Sequence, residues 1–182
     1  MKHMTMALLL LLLMSGCAGV VDKAGRRDYL AARDAFTVTV FPAIVHRRGV
    51  EYDARASQTL VDSLNQVGQA RLSGEEVAIS TSWRMNEAAM WQQSARDFQA
   101  WIATHPIETD FALLPEYLIQ PGTVVGVHAY LVDRQGRVVG GWLRNSHWEE
   151  YKAVMPSDVA GSTQVLWLAM RAELRNRPGL TP

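Results

Sequence analysis

A single cysteine, Cys17, stands in this chain of 182 residues, which rules out an internal disulfide and any metal site built on a cysteine pair. Charge of one sign is missing as well. Lys and Arg total 18 and Asp and Glu total 18, so nucleic-acid binding, which rests on clustered cations, has no electrostatic basis here. The apolar core of the N-terminus, Ala7 to Met14, is too short for a membrane-spanning helix of about 20 residues. There is no internal repeat, phosphate-binding glycine loop, dinucleotide fingerprint, Gly-x-Ser-x-Gly elbow or zinc pattern. These residues ask for no cofactor and no metal. What remains is a hydrophobic share of 48% and a charged share of 20%, values of a globular chain long enough for one ordinary domain.

The N-terminus carries an address. Met1 to Cys17 reads MKHMTMALLLLLLMSGC: one basic residue, a short apolar run, then small residues, the layout of an export signal. Leu13-Met14-Ser15-Gly16-Cys17 resembles a bacterial lipobox, with Met where Leu is usual. The resemblance implies that residues 1–16 are removed and that Cys17 becomes the lipidated first residue. The alternative is an ordinary export signal with an incidental thiol; the place of the only Cys, directly after small residues at the end of the apolar run, favours lipidation. Several acyl chains on one residue anchor stably, at ~0.8 kcal/mol per buried CH₂. Ala18 follows, and in lipoproteins of two-membrane bacteria the lack of Asp there implies the outer membrane, with the domain facing the periplasm. Loss of Lys2 with the leader leaves 17 basic against 18 acidic residues, a net charge of about −1.

Beyond a polar tether over residues 17–34, the order of elements can be read locally. Phe36 to Phe41 alternates and is β-branched, which predicts a strand that Pro42 ends or places at an edge. His46-Arg47-Arg48-Gly49 reads as a basic loop. Asp53 is a plausible N-cap for a helix with Ala56, Leu60 and Leu64 on one stripe, and residues 70–72 read as a short strand. A second helix from about Asn86 to Thr104 carries Ala88, Trp91, Ala95, Phe98 and Ile102 inward, with Trp101 at the margin and Asp97 on the opposite side. Thr109 to Asn145 then holds three apolar runs separated by Pro121-Gly122 and Arg134-Gln135-Gly136, the pattern of an antiparallel meander. Asn145 to Met155 reads as a loop or irregular segment. A last helix, capped by Ser157 or Asp158, runs to about Leu174, and residues 177–182 are a loose tail.

The fold class is therefore α+β: one domain over residues 35–176, an antiparallel or mixed sheet packed against two or three helices. This order resembles the amino-terminal domain of the Tol translocation protein and the lipoproteins of curli-type secretion. The opening Asp28-Tyr29-Leu30-Ala31-Ala32, leading to Val38-Thr39-Val40-Phe41-Pro42-Ala43, is also similar to small outer-membrane lipoproteins of that layout. The resemblance implies contacts with other envelope proteins.

Chemistry has few candidates. With a two-residue turn at Pro121-Gly122, Glu116 falls opposite Val127 on an apolar face, where a carboxylate must be paired or protonated. The bland explanation is a frayed edge, since Pro115 argues against a central strand. His128 falls on the other face and opposite Trp142, where packing explains it better than ligation. Asn145, Ser146, His147, Trp148, Glu149, Glu150 and Tyr151 form the most polar and aromatic stretch, at the exit of the last strand. Asn145, His147, Trp148 and Glu149 are the candidate binding residues, with Trp148 as an anchor for an envelope protein; the bland explanation, which the residues favour, is a loop that caps the sheet with Trp148 packed down and the acids solvated. The competing reading is a small hydrolase or metal protein, with Ser146 as nucleophile, His147 and Glu149 as an acid–base pair, and His128 and Glu116 as partners.

Overall fold

A computed structural model of the chain describes residues 36–81 and 86–174. The leader, Cys17, the tether and the tail read from the sequence lie outside these residues. The described residues form β1 (Thr37–Val40), β2 (Ala43–His46), β3 (Val50–Asp53), α1 (Ala54–Leu64), β4 (Gln69–Leu72), α2 (Glu87–Thr104), β5 (Phe111–Gln120), β6 (Thr123–Asp133), β7 (Val138–Arg144), α3 (Glu149–Val154) and α4 (Val159–Leu174). The α+β class holds, with one mixed sheet of seven strands among the described residues.

Three elements are additions to the sequence reading. The Arg47–Gly49 stretch is a turn, but its flanks are strands: β2 and β3 pair antiparallel from Ala43↔Asp53 to His46↔Val50. Residues 149–154, expected to be irregular, form one short helix that ends at Met155 in the left-handed conformation, φ 47°. Caps elsewhere follow their side chains. Asp53 Oδ1 accepts from Ala56 N at 2.9 Å, Asn86 Oδ1 from Ala89 N at 2.8 Å and Asp158 Oδ1 from Gly161 N at 2.8 Å, each filling an amide that the first helical turn leaves open.

β5 is the axis of the sheet, not an edge. β6 covers one side along its length, while β1 and β2 run in tandem, both parallel to β5, on the other. β1 pairs with Phe111–Leu113 and β2 with Glu116–Leu118. Pro115 lies between these stretches, where no parallel partner needs the N–H it lacks, so proline is accommodated at the centre of the sheet. The Phe41-Pro42 break between β1 and β2 is held by Phe41 N donating to Leu113 O at 2.9 Å and by Ser57 Oγ of α1 donating to Phe41 O at 2.7 Å.

Helices cover both faces. On one, α1 and α4 pack Leu60, Leu64, Val165 and Leu166 against Val38, Val45, Leu113, Val127 and Trp142. On the other, α2 packs Ala95, Phe98 and Ile102 against Phe41, Ile44, Leu114 and Tyr130. The inward stripe of α2 is displaced from the expected one: Ala88 is exposed, Trp91 half-buried, and Met90 and Ser94 are buried in their place. Trp101 sits at the margin as expected, its ring edge-on to Phe41 at 5.0 Å. Asp97 is not idle, for its carboxylate accepts from Ser80 N and Oγ at 2.7 Å and from Gln93 Nε2 at 2.7 Å.

Candidate functional site

Register decides which residues meet. From Gln120↔Thr123 the pairing runs to Ile119↔Val124 and then resumes at Leu118↔Gly126, leaving Val125 as an extra residue in β6. One extra residue turns every later side chain to the opposite face. Glu116 therefore lies opposite His128, not Val127, and the two share the α2 face with Tyr130. A second irregularity leaves Val139 unpaired between Val132↔Val138 and Leu131↔Gly140. Trp142 accordingly falls opposite Ala129 and joins the α4 core, while His128 pairs with Leu143.

Glu116 is fully buried and yet ionised, because hydrogen bonds fill its oxygens. Oε1 accepts from His46 Nε2 at 2.7 Å, from Ser94 Oγ at 3.1 Å and from Thr81 Oγ1 at 3.4 Å. Oε2 accepts a short bond from the Tyr130 hydroxyl and a longer one from His128 Nδ1 at 3.4 Å. Burial works against the charge, but the bonds from His128, His46 and Tyr130, with the His128 charge, outweigh it and bring the carboxyl down to about 2. His128 is gripped from both ends, its Nε2 lying 3.2 Å from Glu87 Oε1. A ring with a carboxylate oxygen at each nitrogen must donate from both, so it is an imidazolium. Burial depresses its basicity, and the bonds to Glu116 and Glu87 more than restore it, raising it above the usual histidine value. Tyr130 is pushed well above the usual phenol value by burial and by the Glu116 charge, which keeps it a donor.

Glu87, in the first turn of α2, carries this chain of bonds to the surface. Its side chain is 31% exposed, and Oε2 accepts from Asn145 Nδ2 at 2.8 Å. Burial raises the Glu87 carboxyl, but the bonds from His128 and Asn145 and the nearby His128 and His147 hold it below the usual range. The approach depends on Gly126, where a Cβ would meet Glu87 Oε1 at 2.8 Å and Leu118 Cδ1 at 2.9 Å. The result is a relay, His46–Glu116–His128–Glu87–Asn145, sealed at one end and wet at the other.

The expected binding loop starts where this relay ends. Asn145 turns the chain, its Oδ1 accepting from His147 N at 3.1 Å and its backbone O from Trp148 N at 3.0 Å. Trp148 is 44% exposed and lies against the Arg144 guanidinium, 4.1 Å from the ring centroid, which fixes the indole in place. Arg144 is in turn held near Glu150 at 3.5 Å and Glu173 at 4.0 Å. His147 and Ser146 are exposed, and Glu149 points away to Lys152 at 3.0 Å, so the triad of Ser146, His147 and Glu149 is not assembled. Of the residues singled out from the sequence, Asn145, Glu116 and His128 join one network, and Trp148 stands beside it. His46, Ser94, Thr81, Tyr130 and Glu87 were not foreseen as members. Among the described residues no group of three or more His, Cys, Asp or Glu side chains could hold a metal ion.

Fold and site together define an α+β domain with helices on both faces of a mixed sheet, a buried carboxylate–imidazolium relay and an exposed tryptophan at its outlet. No protein-family profile matches the sequence, and no curated protein does. Among solved structures, the PelC dodecamer from Paraburkholderia phytofirmans is similar. A point variant shares 15% identity at a TM-score of 0.44, over 79% of this chain and 91% of that one. A second crystal form shares 14% at 0.43, over 79% and 92%.

Proposed function

We propose that this protein is a lipid-anchored component of the bacterial envelope, held at the outer membrane through Cys17 and facing the periplasm. Its domain acts by binding other envelope proteins, without catalysis. The observation that carries the binding role is Trp148, a half-exposed indole fixed by Arg144 in a loop pinned through Asn145. A rigid, part-exposed aromatic offers a large contact area at little entropic cost, the profile of an interface anchor. The relay's titratable groups are occupied with one another and the exposed His147 and Glu149 do not meet, which suits a scaffold for that loop better than a reactive centre. The export leader and its terminal Cys17 support the address.

The test joins the two halves. Cells are fed labelled palmitate and expressed with the wild-type chain, Cys17→Ser, Trp148→Ala or His147→Ala. Cys17→Ser is expected to lose the label and leave the membrane fraction. Crosslinking in intact cells is expected to yield a defined envelope partner with wild type and His147→Ala, and at least about tenfold less with Trp148→Ala, the loss typical of an interface hot spot. An unlabelled wild type would end the anchoring argument, and equal crosslinking by Trp148→Ala would remove this loop from the interface.

A further inference from the structure

Three parts of the molecule meet at Glu87. It opens the first turn of α2, its Oε1 lies 3.2 Å from Nε2 of the buried His128 on β6, and its Oε2 accepts from Asn145 Nδ2 at 2.8 Å. A single carboxylate thus ties a buried ring to the residue that turns the chain into the Trp148 loop. Asn145 Oδ1 accepts from His147 N at 3.1 Å and its backbone O from Trp148 N at 3.0 Å, so the shape of the turn depends on where Asn145 is held. Beyond it, α3 fully buries none of its residues and has no side-chain bond at its N-cap. The stretch rejoins the sheet through the Tyr151 hydroxyl, which donates to Val124 O, and through Val124 N, which donates to Pro156 O at 3.4 Å. Met155, directly before Pro156, sits at φ 47°, a costly conformation for a residue with a side chain. A stretch held in this way opens locally at little cost.

Counting protons shows what keeps Glu87 turned inward. A ring between two carboxylates donates to both only as an imidazolium; once neutral it has one N–H and shows a lone pair to the other carboxylate. The groups around His128 among the described residues are Glu116 from β5, His46 from β2, Tyr130 on β6 itself, Glu87 from α2 and, beyond Glu87, His147 from the loop. From β7 it is Leu143 that lies opposite, with Arg144 on the other face of that strand. The two carboxylates differ in what they can do when the ring loses its charge. Glu116 is sealed from solvent, and a buried carboxylate without donors is costly, so the remaining proton belongs on Nδ1, toward Glu116. Glu87, with 31% of its side chain exposed, can exchange the lone pair for water.

We propose that the second proton of His128 latches the Trp148 loop: with it, Glu87 is held inward and fixes Asn145; without it, Glu87 turns to water and the stretch from Asn145 to Met155 loosens. The anchor surface is therefore set while His128 is charged and slackens as pH rises through its titration. The inference rests on the binding role proposed above and names its regulation. Gly126 belongs to the latch, since a Cβ there would meet Glu87 Oε1 at 2.8 Å and keep the carboxylate from the ring.

The test uses the full mature chain in detergent, labelled with fluorotryptophan and followed by fluorine NMR from about pH 5 to about pH 10, the span in which a raised histidine titrates. Trp148→Phe assigns the Trp148 resonance. That resonance is expected to move with the midpoint shown by the ring nitrogens of His128, above 6.5. Glu87→Gln is expected to lower the midpoint by about one pH unit or more, the effect of removing an opposite charge at this distance. His147→Asn, an exposed change beside Trp148 in sequence, is expected to leave the midpoint in place. A Trp148 resonance that stays still over this range overturns the proposal. So does a movement that vanishes with His147→Asn, a midpoint indifferent to Glu87→Gln, or a loss of ellipticity at the same midpoint, which would mean global unfolding in place of a released loop. These measurements need no partner, so the latch and the crosslinking through Trp148 described above can fail separately.

Discussion

The two faces of the sheet are built from the same strands and solve burial differently. Toward α1 and α4, the strands present Val38, Val45, Leu113, Val127 and Trp142, and the notable polar contact is Thr163 Oγ1 donating to the Tyr117 hydroxyl at 3.1 Å. Toward α2, the same strands present Ala112 and Leu114 at one end and Ile44, His46, Glu116 and His128 at the other. The first face is held by non-directional burial and tolerates small shifts. The second is held by a carboxylate whose oxygens must all be met, and it tolerates none. A buried ion pair is poor evidence for net stability, since desolvation offsets much of its attraction. What it does here is penalise other registers: a one-residue slip of β6 would carry His128 into the α4 core and leave Glu116 Oε2 without its partners His128 and Tyr130.

The largest effect expected from breaking this arrangement is Glu116→Ala. It leaves His46, His128 and Tyr130 without their shared acceptor and should cost ~3–5 kcal/mol in denaturant unfolding near pH 6, the range for removing one partner of a buried pair. On the apolar face, Leu166→Ala, at a fully buried site, should cost about 2–5 kcal/mol by transfer and cavity terms. The comparison sharpens with acid. At about pH 2.5 the penalty of Glu116→Ala should shrink by more than half, while that of Leu166→Ala stays as it was; a Glu116→Ala penalty indifferent to pH would mean the charge is not what matters.

Wild-type stability should itself trace these groups. Glu116 is depressed from 4.5 to about 2, so its contribution, about 3 kcal/mol, is complete above pH 4.5 and disappears as pH falls toward 2. His128 is raised above 6.5, so its contribution is complete below pH 6.5 and is lost as pH rises through its folded value. Unfolding free energy followed against pH should therefore peak between about 4.5 and 6.5, the window the two groups share. A curve still rising at pH 8 would contradict an imidazolium at His128. The smallest effect is at the rim of the α2 face. Asp97→Ala frees Ser80 and Gln93 from a part-exposed carboxylate and should cost only about 1 kcal/mol.

What the sequence made legible was local chemistry. Asp53 and Asn86 cap helices with their own side chains, and Pro121-Gly122 closes a tight turn, so those boundaries could be read without the fold. β2 and β3 escaped because four residues on each side of a basic turn are too few to show a period. The relay escaped for a different reason. Counting outward from Pro121-Gly122 puts Glu116 and His128 on opposite faces, and only the extra residue Val125 brings them together. Val139 misplaced Trp142 in the same way. Gly141, two residues past the second, leaves room for the Trp91 ring, since a Cβ there would come within 2.4 Å of it. Trp148 needed no register to be singled out, but whether its ring packs down on the sheet or stands exposed was not legible in the loop's residues.

Val125 also changes how length variation in this segment should be understood. A substitution there alters one half-buried side chain. Deleting the residue would instead re-phase β6 from Gly126 onward, send His128 toward α4 and bring Val127 against Glu116, exchanging the contents of the two faces in a single event. In an alignment of chains related to this one, a one-residue gap in β6 between Val124 and His128 would therefore mark a protein without the relay, even if Glu116 and His128 were both retained. An ungapped stretch there is the more informative sign, because the pairing depends on the number of residues as much as on their identity.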